Sequence, residues 1–148
     1  MFRFEINQQT GRSISKKNFR RWLDNLAEEL KLKKPLEVSI GIVGSSAMKK
    51  LNKNYRNKNR VTDVLSFSEN DIRTPKFKAQ TKNYLGEVII CYPQALRQAK
   101  QNNQTLSNEL ELLLVHGVLH LLGYDHEKSG EAKKMEALEQ RILSKSGL

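Results

Sequence analysis

The feature that most constrains this chain is the segment 110–122, in which nine of thirteen residues are Leu or Val. Read as a helix, such a run carries apolar side chains on every side and must be buried all round. Glu109 and Glu111 stand at its beginning, where the helix dipole favours acids. The same run holds two histidines, His116 and His120, so a fully buried helix carries polar rings that need partners.

The rest of the chain supplies elements that can cover it. Residues 2–7 alternate apolar and polar, the period of a strand. Ser15 fits the N-cap of a helix with Phe19, Trp22, Leu23, Leu26 and Leu30 on one stripe. Pro35 ends that segment, and residues 36–43 read as a second strand. After Gly44, Ser45 or Ser46 can cap a short helix carrying Met48, Leu51 and Tyr55. Residues 64–67 and 84–91 give two further strand signals, separated by a polar loop at 69–83 that contains Pro75. Pro93 suits the first position of a helix, and a last helix from about Ser129 places Met135, Leu138 and Ile142 inward. The expected architecture is one α+β domain spanning residues 1–148: a small mixed sheet of about four strands packed with helices. Strand order is not readable.

Composition bounds the setting. The chain has 148 residues and a formal charge of +10, and residues 1–60 hold 15 basic and 5 acidic side chains while residues 61–148 hold 11 of each. The whole excess lies in the first two-fifths, which suggests a surface facing a polyanion. Within it, residues 49–60 carry six basic side chains and no acid, and Lys31, Lys33 and Lys34 form a second cluster. One cysteine, Cys91, cannot form an internal disulfide and sits in an apolar run, as expected of a buried thiol in a reducing compartment. The start has no signal-peptide apolar region, and no stretch approaches the ~20 apolar residues that cross a bilayer. A soluble cytoplasmic protein with no membrane partner is expected.

All three histidines, His116, His120 and His126, fall in the window HGVLHLLGYDH. On a helix His116 and His120, at i and i+4, lie one above the other and reach one point. Gly123 can end the helix in a left-handed turn, and the reversed chain can return His126 to the same point. Three imidazoles with an open fourth position describe a catalytic zinc site, although such a set also accepts nickel or copper. The spacing His-x3-His-x2-Gly-x2-His resembles the metzincin protease signature with one departure. Those enzymes carry a glutamate general base directly after the first histidine; here that residue is Gly117. Peptide hydrolysis therefore lacks its base.

The whole window is similar to the metal signature of the YbeY endoribonucleases, bacterial rRNA-maturation factors. Two further segments resemble that family: Asn54-Tyr55-Arg56 through Thr62-Asp63-Val64-Leu65-Ser66-Phe67, and Leu85-Gly86-Glu87-Val88-Ile89-Ile90. Weaker similarity, including Met135-Glu136-Ala137-Leu138-Glu139, extends over most of the chain. Departures are Asn59 and Glu87 where Asp is common, and Val61 and Ser68 where Pro is usual. The resemblance implies a single-strand-directed endoribonuclease acting on 16S rRNA ends, with a role in ribosome quality control. It implies one Zn2+ ion at His116, His120 and His126, a catalytic Arg56, and RNA, the ribosomal subunit and ribosomal proteins or assembly factors as partners. Chemistry agrees: a guanidinium keeps its charge at any working pH and binds phosphate oxygens bidentately. It can stabilise the charge that grows on a phosphorane.

Other residues have two readings each. Asp125 either orients an imidazole or turns the chain beside Tyr124. Glu87 is a cleft base or an outward strand carboxylate. Met135 lies beneath the metal or in the core. Ser66 and Thr62 contact substrate or close a turn, and Tyr55 stacks on a base or belongs to the core. A ribosome-binding assembly factor with structural zinc is the competing function.

Overall fold

The structure, a computed structural model, describes residues 2–68, 71, 83–124 and 129–146. Most of the loop expected at 69–83 lies outside these residues, as do Asp125 and His126. The described elements run β1 (Phe2–Gln8), α1 (Lys16–Glu29), β2 (Leu36–Val43), α2 (Ser45–Arg56), β3 (Val64–Ser68), β4 (Tyr84–Cys91), α3 (Tyr92–Gln101), α4 (Leu106–Leu121) and α5 (Ser129–Ser144).

The four strands form one mixed sheet in the order β1-β2-β4-β3, so the expected α+β architecture is found. Strands β1, β2 and β4 run parallel, and β3 is antiparallel to β4. This order sets β1 and β3 at opposite edges. Side chains alternate between the faces of β4. Val88 and Ile90 join Phe19, Trp22, Leu23 and Leu26 of α1 in the main core; Ile89 and Cys91 join Met48, Leu65 and Phe67 in a smaller one. Cys91 is a free, buried thiol, as expected.

Helix α4 touches β3, β4, α1, α3 and α5, which explains how so apolar a helix is satisfied. Leu110, Leu113, Leu114, Val115, Val118 and Leu119 are buried. Apart from its two ends, the exception is a strip at four-residue spacing: Leu112 and His116 are half-buried and His120 is exposed. The helix starts earlier than its apolar run, because Thr105 caps it by accepting from the Asn108 backbone N–H at 3.0 Å. Glu109 lies in the first turn as expected, but Glu111 does not act on the dipole from solvent. It is buried in the second turn, accepts from the Ser146 hydroxyl at 2.8 Å, and burial raises its pKa.

At its other end α4 closes as expected at Gly123, whose φ of 102° is left-handed. Gly123 N–H donates to the His120 carbonyl at 3.0 Å and Tyr124 N–H to the Leu119 carbonyl at 3.1 Å, the paired bonds of a Schellman motif. Ser15 caps α1 through the Lys17 N–H. For α2 the expectation fails: Gly44 is the N-cap without a side-chain bond, and Ser45 is already the first helical residue.

Candidate active site

Two contacts bring β3, α2 and α4 to one place. Ser66, on the face of β3 that meets α4, donates its hydroxyl to the Gly117 carbonyl at 3.0 Å. Gly117 itself lets the helix sit close to the sheet. A Cβ there would lie 2.6 Å from Val88 Cγ1 and 3.2 Å from Ser66 Oγ. The position that carries the general base in metzincins therefore has no room for a side chain.

Arg56 is the last residue of α2, and the turn after it is fixed in two ways. Asn57 takes the left-handed conformation at φ 59°, which asparagine tolerates. Asn52, buried on α2, donates its amide to the Arg60 carbonyl at 3.0 Å, and its own carbonyl accepts from the Lys58 N–H at 3.2 Å. The guanidinium is then held from three sides. Its Nη2 donates to the Ser66 carbonyl at 2.7 Å, its Nη1 to the Tyr55 carbonyl at 3.1 Å, and its Cζ stacks 4.6 Å from the Phe67 ring centroid. These partners are neutral. Among the described residues Arg56 has no carboxylate partner, so none of them neutralises its charge.

Arg56, Thr62, Asp63, Ser66, His116 and His120 line one cleft of about 240 Å³. His116 Nδ1 lies 2.7 Å from Glu139 Oε1 of α5. That hydrogen bond raises the imidazole pKa; the charges of Glu139 and Asp63 add to it and burial opposes it. Asp63 is itself tied down. Its Oδ1 accepts from the Val64 N–H at 2.8 Å and its Oδ2 from Gln98 Nε2 at 3.3 Å. Gln98 also donates to Glu109 at 2.8 Å, which joins α3, α4 and the start of β3 behind His116.

The structure thus places Arg56, His116 and His120 around one cleft. The third histidine, His126, lies outside the described residues, as does Asp125. Among the described residues no three His, Cys, Asp or Glu side chains converge as a metal set. A carboxylate that orients a histidine from behind is the usual partner of a metal-bound imidazole, and Glu139 occupies that place. If His116 takes a metal while keeping this bond, it does so through Nε2.

Residues with two readings now separate. Ser66 and Thr62 line the cleft, and Ser66 also locks strand to helix. Tyr55 packs edge-on against Phe67 with centroids 5.7 Å apart, a core-side role. Met135 is buried in the main core. Glu87 is half-buried on the face of β4 that carries Ile89 and Cys91, opposite the face that Val88 turns to α4, so it does not face the histidines. Lys49, Lys50, Lys53, Lys58 and Arg60 are exposed around Arg56, as the charge stripe predicts.

Sequence reasoning missed Glu139 and Asn52, although both left a signal. Glu139 falls on the inner stripe of α5 with Met135, Leu138 and Ile142, and Asn52 falls on the stripe of α2 with Met48, Leu51 and Tyr55. A polar residue at a core-facing position needs an internal partner.

Comparison with known proteins identifies the chain's relatives. Residues 3–147 match the family described as Endoribonuclease YbeY. A relative named Endoribonuclease YbeY from Mycoplasma mobile is 40% identical over 144 residues, covering 94% of this chain and 90% of the relative. Another of that name, from Thermodesulfovibrio yellowstonii, is 47% identical over 126 residues, covering 82% and 75%. The solution structure of TM1509 from Thermotoga maritima superposes with a TM-score of 0.59 at 26% identity, covering 98% of this chain and 91% of that one. The chain belongs to the YbeY endoribonuclease family.

Proposed function

We propose that the chain is a metal-dependent endoribonuclease that cuts single-stranded RNA, acting in the cytoplasm on the 3′ end of 16S rRNA during ribosome maturation and quality control. The observation that supports this most is the cleft itself, which sets a fixed guanidinium with neutral partners opposite two imidazoles of one helix. His116, His120 and His126 would hold one zinc ion. The bond from Glu139 to His116 fits that assignment, because it fixes the ring orientation and raises ligand basicity. When bound, the ion supplies Lewis acidity toward a phosphoryl oxygen and lowers the pKa of a coordinated water.

The chain's own residues do the rest. Arg56 binds the scissile phosphate and stabilises the negative charge that builds on it, using N–H groups not engaged by Tyr55 and Ser66. Phe67 and the Ser66 carbonyl keep the guanidinium in place, so little rotamer entropy is lost when phosphate arrives. These roles hold whether water or the ribose 2′-OH attacks. The exposed lysines of α2 carry the adjoining RNA backbone, so affinity falls steeply with salt. Ribosomal proteins or assembly factors are the partners this role requires.

The test presents single-stranded rRNA fragments to metal-loaded protein, to His120→Ala and to Arg56→Ala. Cleavage by the native chain alone supports the proposal. Equal cleavage by all three would indicate a contaminating nuclease and sink it, and binding without turnover by the native chain would assign an assembly factor with structural zinc.

A further inference from the structure

The sequence pattern drew notice to the lysines of α2, but the structure shows a second basic surface on α1. Lys16, Lys17, Arg20 and Arg21 line an open groove of about 670 Å³ with Phe4 of β1. All four cations are exposed, and among the described residues none is in an ion pair, although Asp24 lies on the same helix face. Arg20 is held against the strand: it donates to the Phe2 carbonyl and its Cζ lies 4.5 Å from the Phe4 ring centroid. Helix α1 has no acid in its first turn. Packing four like charges over two turns is unfavourable for the isolated helix; Arg20 is anchored on β1 and Arg21 acts on the buried Glu111, but among the described residues Lys16 and Lys17 have no such partner. None of these residues lines the catalytic cleft, and the strand order puts β1 at the sheet edge opposite β3.

We infer that this groove is a second contact for the RNA backbone, which holds substrate beyond the cleavage centre. The inference rests on the endoribonuclease reading above. Three inter-strand spacings of ~4.8 Å separate the two edges, about 14 Å in all. At ~3.4 Å per stacked nucleotide, RNA needs roughly four nucleotides merely to cross that width, so a trinucleotide in the cleft does not reach the groove. Longer single strands do. The charge excess of residues 1–60 is thereby divided between two phosphate-binding surfaces, one on α2 at the cleft and one on α1 at the far edge.

The test compares the native chain with the triple variant Lys16→Gln/Lys17→Gln/Arg21→Gln; Arg20 is kept because it touches β1. The three altered residues are exposed, and thermal melting verifies that the variant folds. Fluorescence anisotropy measures binding of a labelled 30-nucleotide single strand across a salt series, and cleavage of a trinucleotide reads the catalytic centre. Loss of three phosphate contacts lowers the salt slope by about 2 and 30-mer affinity by about 10- to 100-fold near 0.1 M salt, with trinucleotide cleavage unchanged. A change under about threefold, with the slope intact, overturns the inference and leaves the endoribonuclease reading standing. Unchanged RNA binding with lost binding of an acidic 20-residue peptide also overturns it, and assigns the groove to a protein. A native chain that neither binds nor cuts RNA overturns both.

Discussion

Gly117 offers the sharpest test of how the site is assembled. Replacing it by alanine has two opposed effects. Alanine is favoured over glycine inside a helix by about 1 kcal/mol. The new Cβ would stand 2.6 Å from Val88 Cγ1 and 3.1 Å from Cγ2, well inside the 3.5–4.0 Å of a comfortable contact. Val88 is fully buried and β-branched, so its χ1 does not swing aside easily. Overpacking of this kind costs about 1–3 kcal/mol. The net expectation for Gly117→Ala is a loss of about 1 kcal/mol, a fall of roughly 2–4 °C in Tm for a chain of this size. The helix relieves the clash by moving off β4, which strains the Ser66 hydroxyl bond to the Gly117 carbonyl and shifts His116 and His120 against Arg56. Cleavage falls with stability. Urea unfolding with chelator present, in the native and Val88→Ala backgrounds, checks the cause. Once Val88 is truncated the clash is gone, and Gly117→Ala should turn stabilising by up to about 1 kcal/mol. Stabilisation in both backgrounds, with full activity, would refute the close-packing account.

Three further outcomes follow from the geometry. Glu139→Gln keeps the shape but removes the charge behind His116, so zinc affinity measured by chelator competition should weaken about 10- to 100-fold; an unchanged affinity removes Glu139 from the site. Arg56→Lys keeps a cation but not a fork that reaches both the Tyr55 and Ser66 carbonyls, so cleavage should fall at least about tenfold while the Kd for RNA moves little. Glu111 has a pKa raised above 4.5 by burial, so its contribution to stability is fully present below about pH 4.5 and is lost as pH rises through the raised folded value. Glu111→Gln should therefore be more stable than the native chain at pH 8 and flatten the decline in urea midpoint above about pH 4.5; identical pH curves would contradict that.

Much of this was legible in the residues because the signals were local. The alternation of residues 2–7, the Ser15 cap, the glycine after an apolar helix and the i, i+4 histidines each need only a few neighbours to be understood. What escaped depends on partners distant in the chain. Glu111 looked like a dipole group until Ser146, 35 positions on, was seen to cover it. Glu139 lies 23 residues from His116, and the Ser66–Gly117 bond spans 51. The α1 groove forms only when β1 folds back along the helix, so no local pattern marks its cations as one surface. Strand order is likewise a matter of long-range pairing, and it is what separates the two basic surfaces.

The most direct measurement is single-turnover cleavage of a single-stranded rRNA fragment by chelator-stripped protein, before and after one equivalent of zinc is restored. The account predicts that stripped protein is inactive, that zinc restores cleavage to the native chain, and that it restores none to His120→Ala. Full-rate cleavage by the stripped native chain, or by His120→Ala, would contradict it.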